Sequence, residues 1–285
     1  MSRTTLSEVT NQIQKFWSPQ FAKELREDTM LASLVNKDYQ GEIRKGGDTV
    51  YVSQIDAPTG QLLTVGTDAD SFTPEALVTQ RIAIQADKRI VASHKFDDLV
   101  DLQSQISNPS SEIRQGLMFA LNKQLNDYLY TKVAPSASAP DHELNSVTDM
   151  NAAQIRAIRL LASQAKWRRD KPWYLLCDPS YYTDVLADST LASADFGSSA
   201  SPTIAGQVAK QRYGFNILED NSRGTDYGLA FSPDFLHLVM QKSVQFKISD
   251  LHSNEQFGYV ISADMILGSA LGISGDTKHI RIQGS

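Results

Sequence analysis

The strongest apolar periodicity in the chain lies between Asn108 and Ala134. Ile113, Leu117, Leu121, Leu125, Leu129 and Val133 recur at every fourth residue. A step of four against a 3.6-residue turn gives a row that winds slowly around a helix. Asn108 suits an N-cap, Pro109 the first helical position and Glu112 the first turn, while Pro135 ends the run. The spacing predicts a helix over 109–133, about 38 Å long at roughly 1.5 Å per residue. Met118, Phe119 and Tyr128 widen the apolar row, so this helix is expected to be covered on more than one side.

Around it the pattern changes several times. Val9, Ile13, Phe16 and Trp17 form a helical stripe that stops at Ser18-Pro19, and Phe21, Leu25, Leu31, Leu34 and Val35 continue in short pieces. This segment is too broken to hold its own core. It reads either as a helix packed on its own domain or as an arm packed on another copy. Gly46-Gly47-Asp48 marks a turn, and Val50 and Val52 then alternate with Tyr51 and Ser53 as in a strand. Arg81 to Gln85 supplies the matching strand. The connection between them is long and polar, with four acids (Asp56, Asp68, Asp70, Glu75) and no base. It is a mobile surface loop, or a projecting one ordered by contact with another molecule. Ile90 and Val91 lead into Phe96, Leu99, Val100 and Leu102, which read as a short helix with Asp97, Asp98 and Asp101 on its solvated face.

Beyond Pro135–Pro140, a linker, the pattern becomes α/β. Met150–Trp167 reads as a helix capped by Asn151, with Ile155, Ile158, Leu161 and Ala162 on one face. Trp173–Cys177 is a short continuous apolar run, the mark of a buried strand. Asp178-Pro179 caps a helix through Leu186. Gly197–Ser201 is a small-residue loop, and Val208 closes a further short helix. Tyr213–Leu218 and Tyr227–Phe231 read as strands, and Ser232-Pro233 as another cap. Val244, Phe246 and Ile248, then Tyr259–Leu267 and His279–Ile282, make a strand-rich end.

Composition narrows the chemistry. The formal net charge of −6 over 285 residues supplies no drive toward tight nucleic-acid or anionic-membrane binding. No apolar run reaches membrane-spanning length, and the polar first residues lack a signal-peptide core. One cysteine, Cys177, excludes an internal disulfide framework. It lies in an apolar strand and reads as a small buried hydrophobe. His94, His142, His237, His252 and His279 show no zinc spacing. No phosphate loop, dinucleotide fingerprint or serine-nucleophile elbow is present. Lys166, Arg168, Arg169 and Lys171 cluster near a helix end. They suit the helix dipole, an intersubunit salt contact or a weak polyanion contact. No cofactor, metal or catalytic residue is expected.

The order of parts is itself a signal. Leu34-Val35-Asn36-Lys37-Asp38-Tyr39-Gln40-Gly41-Glu42-Ile43, followed by Gly46-Gly47-Asp48-Thr49-Val50, resembles the arm-to-E-loop junction of HK97-fold major capsid proteins from tailed double-stranded-DNA phages. Leu175-Leu176-Cys177-Asp178-Pro179 with Tyr182 and Leu186 resembles the strand–helix step of their A-domain. The likeness runs over nearly the whole chain.

The resemblance implies an α+β, HK97-like capsid fold. Residues 1–45 would be the N-terminal arm and 46–86 the extended E-loop hairpin. Residues 87–140 would form the P-domain with its spine helix at 109–133, 141–240 the α/β A-domain, and 241–285 strands returning to the P-domain. It further implies a non-enzymatic virion protein, assembled in the host cytoplasm as hexamers and pentamers around a portal, enclosing packaged DNA that it contacts weakly and without sequence preference. No scaffold-like extension precedes the arm, so a separate scaffolding protein is expected. Some family members cross-link an E-loop lysine to a neighbour's asparagine, but no lysine lies between Asp48 and Asp87, so no isopeptide bond is expected from this loop. The acidic loop, carrying Asp56, Asp68, Asp70 and Glu75, needs a basic counterpart on a neighbour, with Arg44, Lys45, Lys88, Arg89 and Arg114 as candidates. The competing readings are an encapsulin-like nanocompartment shell and a soluble α/β enzyme with an unrecognised site.

Overall fold

A computed structural model describes residues 29–39, 42, 49–63, 72–97, 111–133, 143–192, 211–251 and 257–284. The stripe at Val9–Trp17, the turn at Gly46–Asp48, Leu99–Leu102, the linker Pro135–Pro140, the loop Gly197–Ser201 and Val208 lie outside these residues.

Among the described residues the architecture is mixed α/β, with three sheets. Strands β1 (Thr49–Ile55) and β2 (Thr79–Gln85) form an antiparallel hairpin, with Thr49 opposite Gln85 and Ile55 opposite Thr79. Strands β3 (Lys88–Phe96), β8 (Leu236–Asp250) and β9 (Tyr259–Leu271) form an antiparallel sheet in the order β3-β9-β8. Strands β4 (Glu143–Leu144), β5 (Trp173–Cys177), β6 (Phe215–Glu219), β7 (Tyr227–Phe231) and β10 (His279–Gln283) make a mixed sheet in the order β4-β10-β7-β5-β6. After the one-turn helix α1 (Leu31–Leu34) come α2 (Ser111–Tyr130), α3 (Ala152–Gln164), α4 (Pro179–Ala187) and the short α5 (Ser189–Ala192).

The continuous apolar run of β5 has a direct physical reading. Successive side chains of a strand point to opposite faces. Trp173, Leu175 and Cys177 enter a core with Ile155, Ile158 and Ala162 of α3 and Tyr181 and Val185 of α4. Leu176, with Tyr174 packed alongside, enters a second core with Leu117, Leu121, Leu125 and Leu129 of α2. The strand is apolar throughout because both of its faces are covered. The second core also takes Ile90 of β3, Leu236 and Leu238 of β8, and Ile261, Met265 and Leu267 of β9. Helix α2 therefore joins the two larger sheets, and each of its buried leucines contributes about 1.5–3 kcal/mol by leaving water.

The helix starts are made locally. Asn151 Oδ1 accepts from the Ala153 and Gln154 amides at 3.0 and 3.1 Å. Asp178 accepts from the Ser180 and Tyr181 amides at 3.3 and 3.2 Å, with Pro179 at the first position of α4. The hairpin is rooted by Val50 and Ile84 against Val239. At that root a Cβ on Gly268 of β9 would lie 1.9 Å from the Gln85 carbonyl oxygen, so only glycine allows the approach.

Several expectations are corrected. Phe96 is not helical: it ends β3, paired in unbroken register with β9 and stacked on Tyr259 at 5.3 Å between centroids. Ile90, Ala92 and Phe96 fall on one face at period two, which a helical reading overlooks. Strand β6 begins at Phe215 because Tyr213 and Gly214 adopt positive φ (48° and 85°) in a tight turn. Ser232 makes no capping hydrogen bond, and only a 3₁₀ turn, Pro233–Phe235, follows. Helix α3 stops at Gln164, so the cations from Lys166 onward lie past its last turn, and Arg168 pairs with Asp170 instead. The strands between 236 and 283 go to two sheets: β8 and β9 pair with each other beside β3, whereas β10 joins β7 and β4 in the five-stranded sheet, where Ile280 and Ile282 bury in the core with α3 and α4.

Candidate functional site

No cluster of His, Cys, Asp and Glu suited to a metal occurs among the described residues. Cys177 is fully buried, and desolvation pushes its thiol well above the ordinary range. That disfavours the thiolate a nucleophile needs. No described helix is long and apolar enough to cross a membrane. The features that stand out are surfaces and the polar joints that hold them in place.

The first surface is the hairpin. Its connection is laced from side to side: the Thr59 amide donates to Glu75 Oε2 at 2.9 Å, and Gln61 exchanges two hydrogen bonds with the Thr73 backbone at 2.7 and 3.1 Å. Gln80 Nε2 donates to Asp56 Oδ2 at 3.0 Å. The described parts of the connection, 56–63 and 72–78, are thus held side by side as a continuation of the two strands. Its apolar side chains Ile55, Leu62, Phe72 and Leu77 are all exposed. Exposed apolar residues that lie together on a surface are a common mark of contact with another molecule.

The second surface is the face of β3-β9-β8 turned away from α2. In register, Val91 lies opposite Asp264, Ser93 opposite Ser262 and Lys95 opposite Val260. From the other side, Gln245 lies opposite Asp264 and Lys247 opposite Ser262. A bulge between Lys242 and Gln245 absorbs the odd spacing and keeps Lys242 on this face. Asp264 is buried and shared by two cations. Lys242 Nζ donates to its oxygens at 2.6 and 2.7 Å, and Arg89 donates through Nε at 3.0 Å and Nη2 at 2.5 Å. The Lys242 hydrogen bonds, and then those of Arg89, hold its carboxyl below the usual carboxylate range.

A polar joint ties the last turns of α2 to the loop after β6. Tyr130 Oη donates to Asp220 Oδ2 at 2.5 Å, both residues being buried. Asp220 Oδ1 accepts from the Ser222 amide at 2.9 Å, and Asn126 Nδ2 donates to Ser222 Oγ at 3.1 Å. Arg223 pairs with Asp127 and lies 4.1 Å over the Tyr130 ring.

The nine residues singled out from sequence fall in three groups. Asp56 and Glu75 sit on the hairpin connection, each already accepting a hydrogen bond within it. Lys88 pairs with Asp87 at 2.8 Å, Arg89 is anchored to Asp264, and Arg114 is exposed on the first turn of α2. Arg44, Lys45, Asp68 and Asp70 lie outside the described residues. Sequence reading missed Asp264, Lys242, Asp220 and Tyr130. One signal was available: Asp264 interrupts an otherwise apolar strand, and a charge in such a run demands a partner.

The architecture of these three sheets and the long helix is that of phage capsid structures. A chain from Mycobacterium phage Che8 also aligns over 94% of this chain and 96% of its own, with a TM-score of 0.75 at 20% identity. The capsid structure of cyanophage P-SCSP1u aligns over 97% and 94%, with a TM-score of 0.70 at 15% identity. The capsid asymmetric unit of cyanophage Pam1 aligns over 100% and 99%, with a TM-score of 0.71 at 13% identity. Neither a protein-family model nor a curated protein sequence matches the chain.

Proposed function

We propose that this chain is the major capsid protein of a bacteriophage, a structural protein that assembles with copies of itself into an icosahedral shell around packaged DNA. The observation that carries the reading is the end-to-end agreement of its fold with phage capsid structures. The exposed apolar and acidic hairpin supports it, because such a projection has no evident use in an isolated chain.

In this reading β1, β2 and their connection are the E-loop, α2 is the spine helix of an HK97-like P-domain, and the five-stranded sheet with α3 and α4 is the A-domain. Hexamers and pentamers, a portal, a separate scaffolding protein and weak, non-specific contact with DNA belong to the same proposal, as does assembly in the host cytoplasm. Asp56, Asp68, Asp70 and Glu75 face basic groups of a neighbouring copy. Nothing in the fold favours a nanocompartment shell or an enzyme over a capsid.

Negative-stain microscopy of the purified chain tests the reading. Polyhedral shells or ring-shaped capsomers support it, and DNA inside the shells distinguishes it from a compartment loaded with enzyme. A stable monomer that never multimerises overturns it.

A further inference from the structure

A cleft of about 310 Å³ opens beside the root of the hairpin, lined by β1, the segment after α1, the loop that leads into β5, the start of β8 and the turn that leads into β10. His237, in β8, is 7% exposed, and its Nδ1 is buried without a hydrogen-bond partner. Its ring is fixed in place. The Tyr39 ring meets it edge-on at 5.2 Å between centroids, and a Cβ on Gly272 would lie 3.1 Å from Nε2.

Two cations of the same cleft also lack a counter-ion. Lys278 Nζ donates to the Ile273 carbonyl at 2.6 Å, and among the described residues neither Lys278 nor Lys171 has a carboxylate within ion-pair distance. Arg168 is exposed and paired with Asp170. Two carboxylates complete the charged lining: Asp234 accepts from Asn36 Nδ2 at 3.1 Å, and Asp38 is exposed. Burial, first, holds both His237 and Lys278 below their ordinary pKa values, and an anion beside them offsets that effect.

Unpaired cations and an orphaned imidazole nitrogen call for an acceptor, whereas a carboxylate on the same wall calls for a donor. Hydrogen phosphate is both: its bare oxygens accept, and its own O–H donates. Sulfate carries no such proton. We propose that this cleft binds hydrogen phosphate, free or as the monoester group of a small molecule, with Lys171, Lys278 and His237 donating and Asp234 accepting. The bound group ties β1 and the segment after α1 to the loop before β5, and so fastens the hairpin root to the five-stranded sheet. This site stands apart from the shell reading and holds or fails without it.

Isothermal titration calorimetry of the full chain with sodium phosphate, at ionic strength matched with sodium chloride, should show a single site per chain. Sulfate should bind at least about tenfold more weakly, for want of the donated hydrogen bond to a charged group. Glycerol 3-phosphate, titrated alongside, tells a free ion from a monoester, and binding of either supports the site. Lys171→Gln with Lys278→Gln should weaken phosphate binding by more than about tenfold, and His237→Phe, which keeps a ring against Tyr39, by roughly threefold or more. Lys247→Gln, on the outer face of the three-stranded sheet, should change nothing. Circular dichroism checks that each variant folds. Hydrogen exchange of the wild-type chain needs no variant: phosphate should slow exchange at 36–39 and 52–54. A wild-type chain that binds neither phosphate nor glycerol 3-phosphate overturns the site. So does sulfate binding as tightly as phosphate, slowed exchange confined to other segments, or a loss at Lys247→Gln equal to that at Lys171 and Lys278. Shells seen by microscopy would leave the capsid reading intact in each of these cases.

Discussion

The joint between α2 and the five-stranded sheet gives the most direct quantitative test of the fold. Tyr130→Phe removes one atom, the hydroxyl that donates to Asp220 Oδ2 at 2.5 Å, from a site where both partners are buried. A phenyl ring keeps the face that Arg223 covers at 4.1 Å, so packing is preserved and the loss is the hydrogen bond itself. Bonds to a charged group contribute about 1.5–3 kcal/mol. Asp220 keeps the Ser222 amide at 2.9 Å, which limits the penalty for a stranded carboxylate. The expected destabilisation is about 2 kcal/mol.

Guanidinium unfolding of the unassembled chain, followed by tryptophan fluorescence and circular dichroism, measures this. Pairing Tyr130→Phe with Asp220→Ala in a double-mutant cycle should give a coupling above about 1 kcal/mol. There is also an alkaline signature. Burial first, and then the Asp220 charge, hold the Tyr130 hydroxyl well above its ordinary value. A pKa raised in the folded state stabilises fully below the unfolded value near pH 10 and is lost as pH rises through the folded one. Tyr227, pushed up to about 12 chiefly by burial, contributes in the same direction. The Tyr130→Phe variant should therefore lose stability above about pH 10 less steeply than wild type, not become flat. A coupling below about 0.5 kcal/mol with an unchanged alkaline limb would refute the reasoning.

Three further outcomes follow from the packing. Leu121→Asp puts a carboxylate at a fully buried position of α2 and should abolish folding, seen as loss of the cooperative unfolding transition. Phe119→Ser, about 200° around the helix from Leu117, should keep the circular dichroism spectrum and block particle formation. Gly268→Ala drives a Cβ to 1.9 Å from the Gln85 carbonyl oxygen. It should destabilise the chain by about 1–3 kcal/mol, with hydrogen exchange rising first in β1 and β2.

Much of the local structure was legible without coordinates. The four-residue row at Leu117–Leu129 became α2, and the run Trp173–Cys177 became β5 with the expected bounds. Asn151 and Asp178 cap the helices they were assigned to. The hairpin partners at Val50–Ser53 and Arg81–Gln85 also paired. Each is a short-range pattern in which periodicity or one side chain near a helix end states its own role. Phe96 was assigned to a helix although it ends β3, because it stands directly before Asp97, Asp98 and Asp101, whose charges suit a solvated helix face. Period two and period 3.6 are hard to separate over a few apolar residues.

The candidate surfaces were legible only in halves. The acidic, base-free connection is written in the composition of 56–75. The basic face is not, because it draws alternate residues from three strands and depends on a bulge to bring Lys242 into line. Arg89 and Asp264 are 175 positions apart, and Tyr130 and Asp220 are 90 apart. The sequence by itself determined the long helix, the doubly buried strand, the caps and the one-signed loop, since those follow from neighbours within a turn or a strand. Only the tertiary structure decided which sheet received β10, which cations share Asp264 and what holds the end of α2. Such pairings are set by chain closure and by which apolar faces bury together, and no local window of residues contains that information.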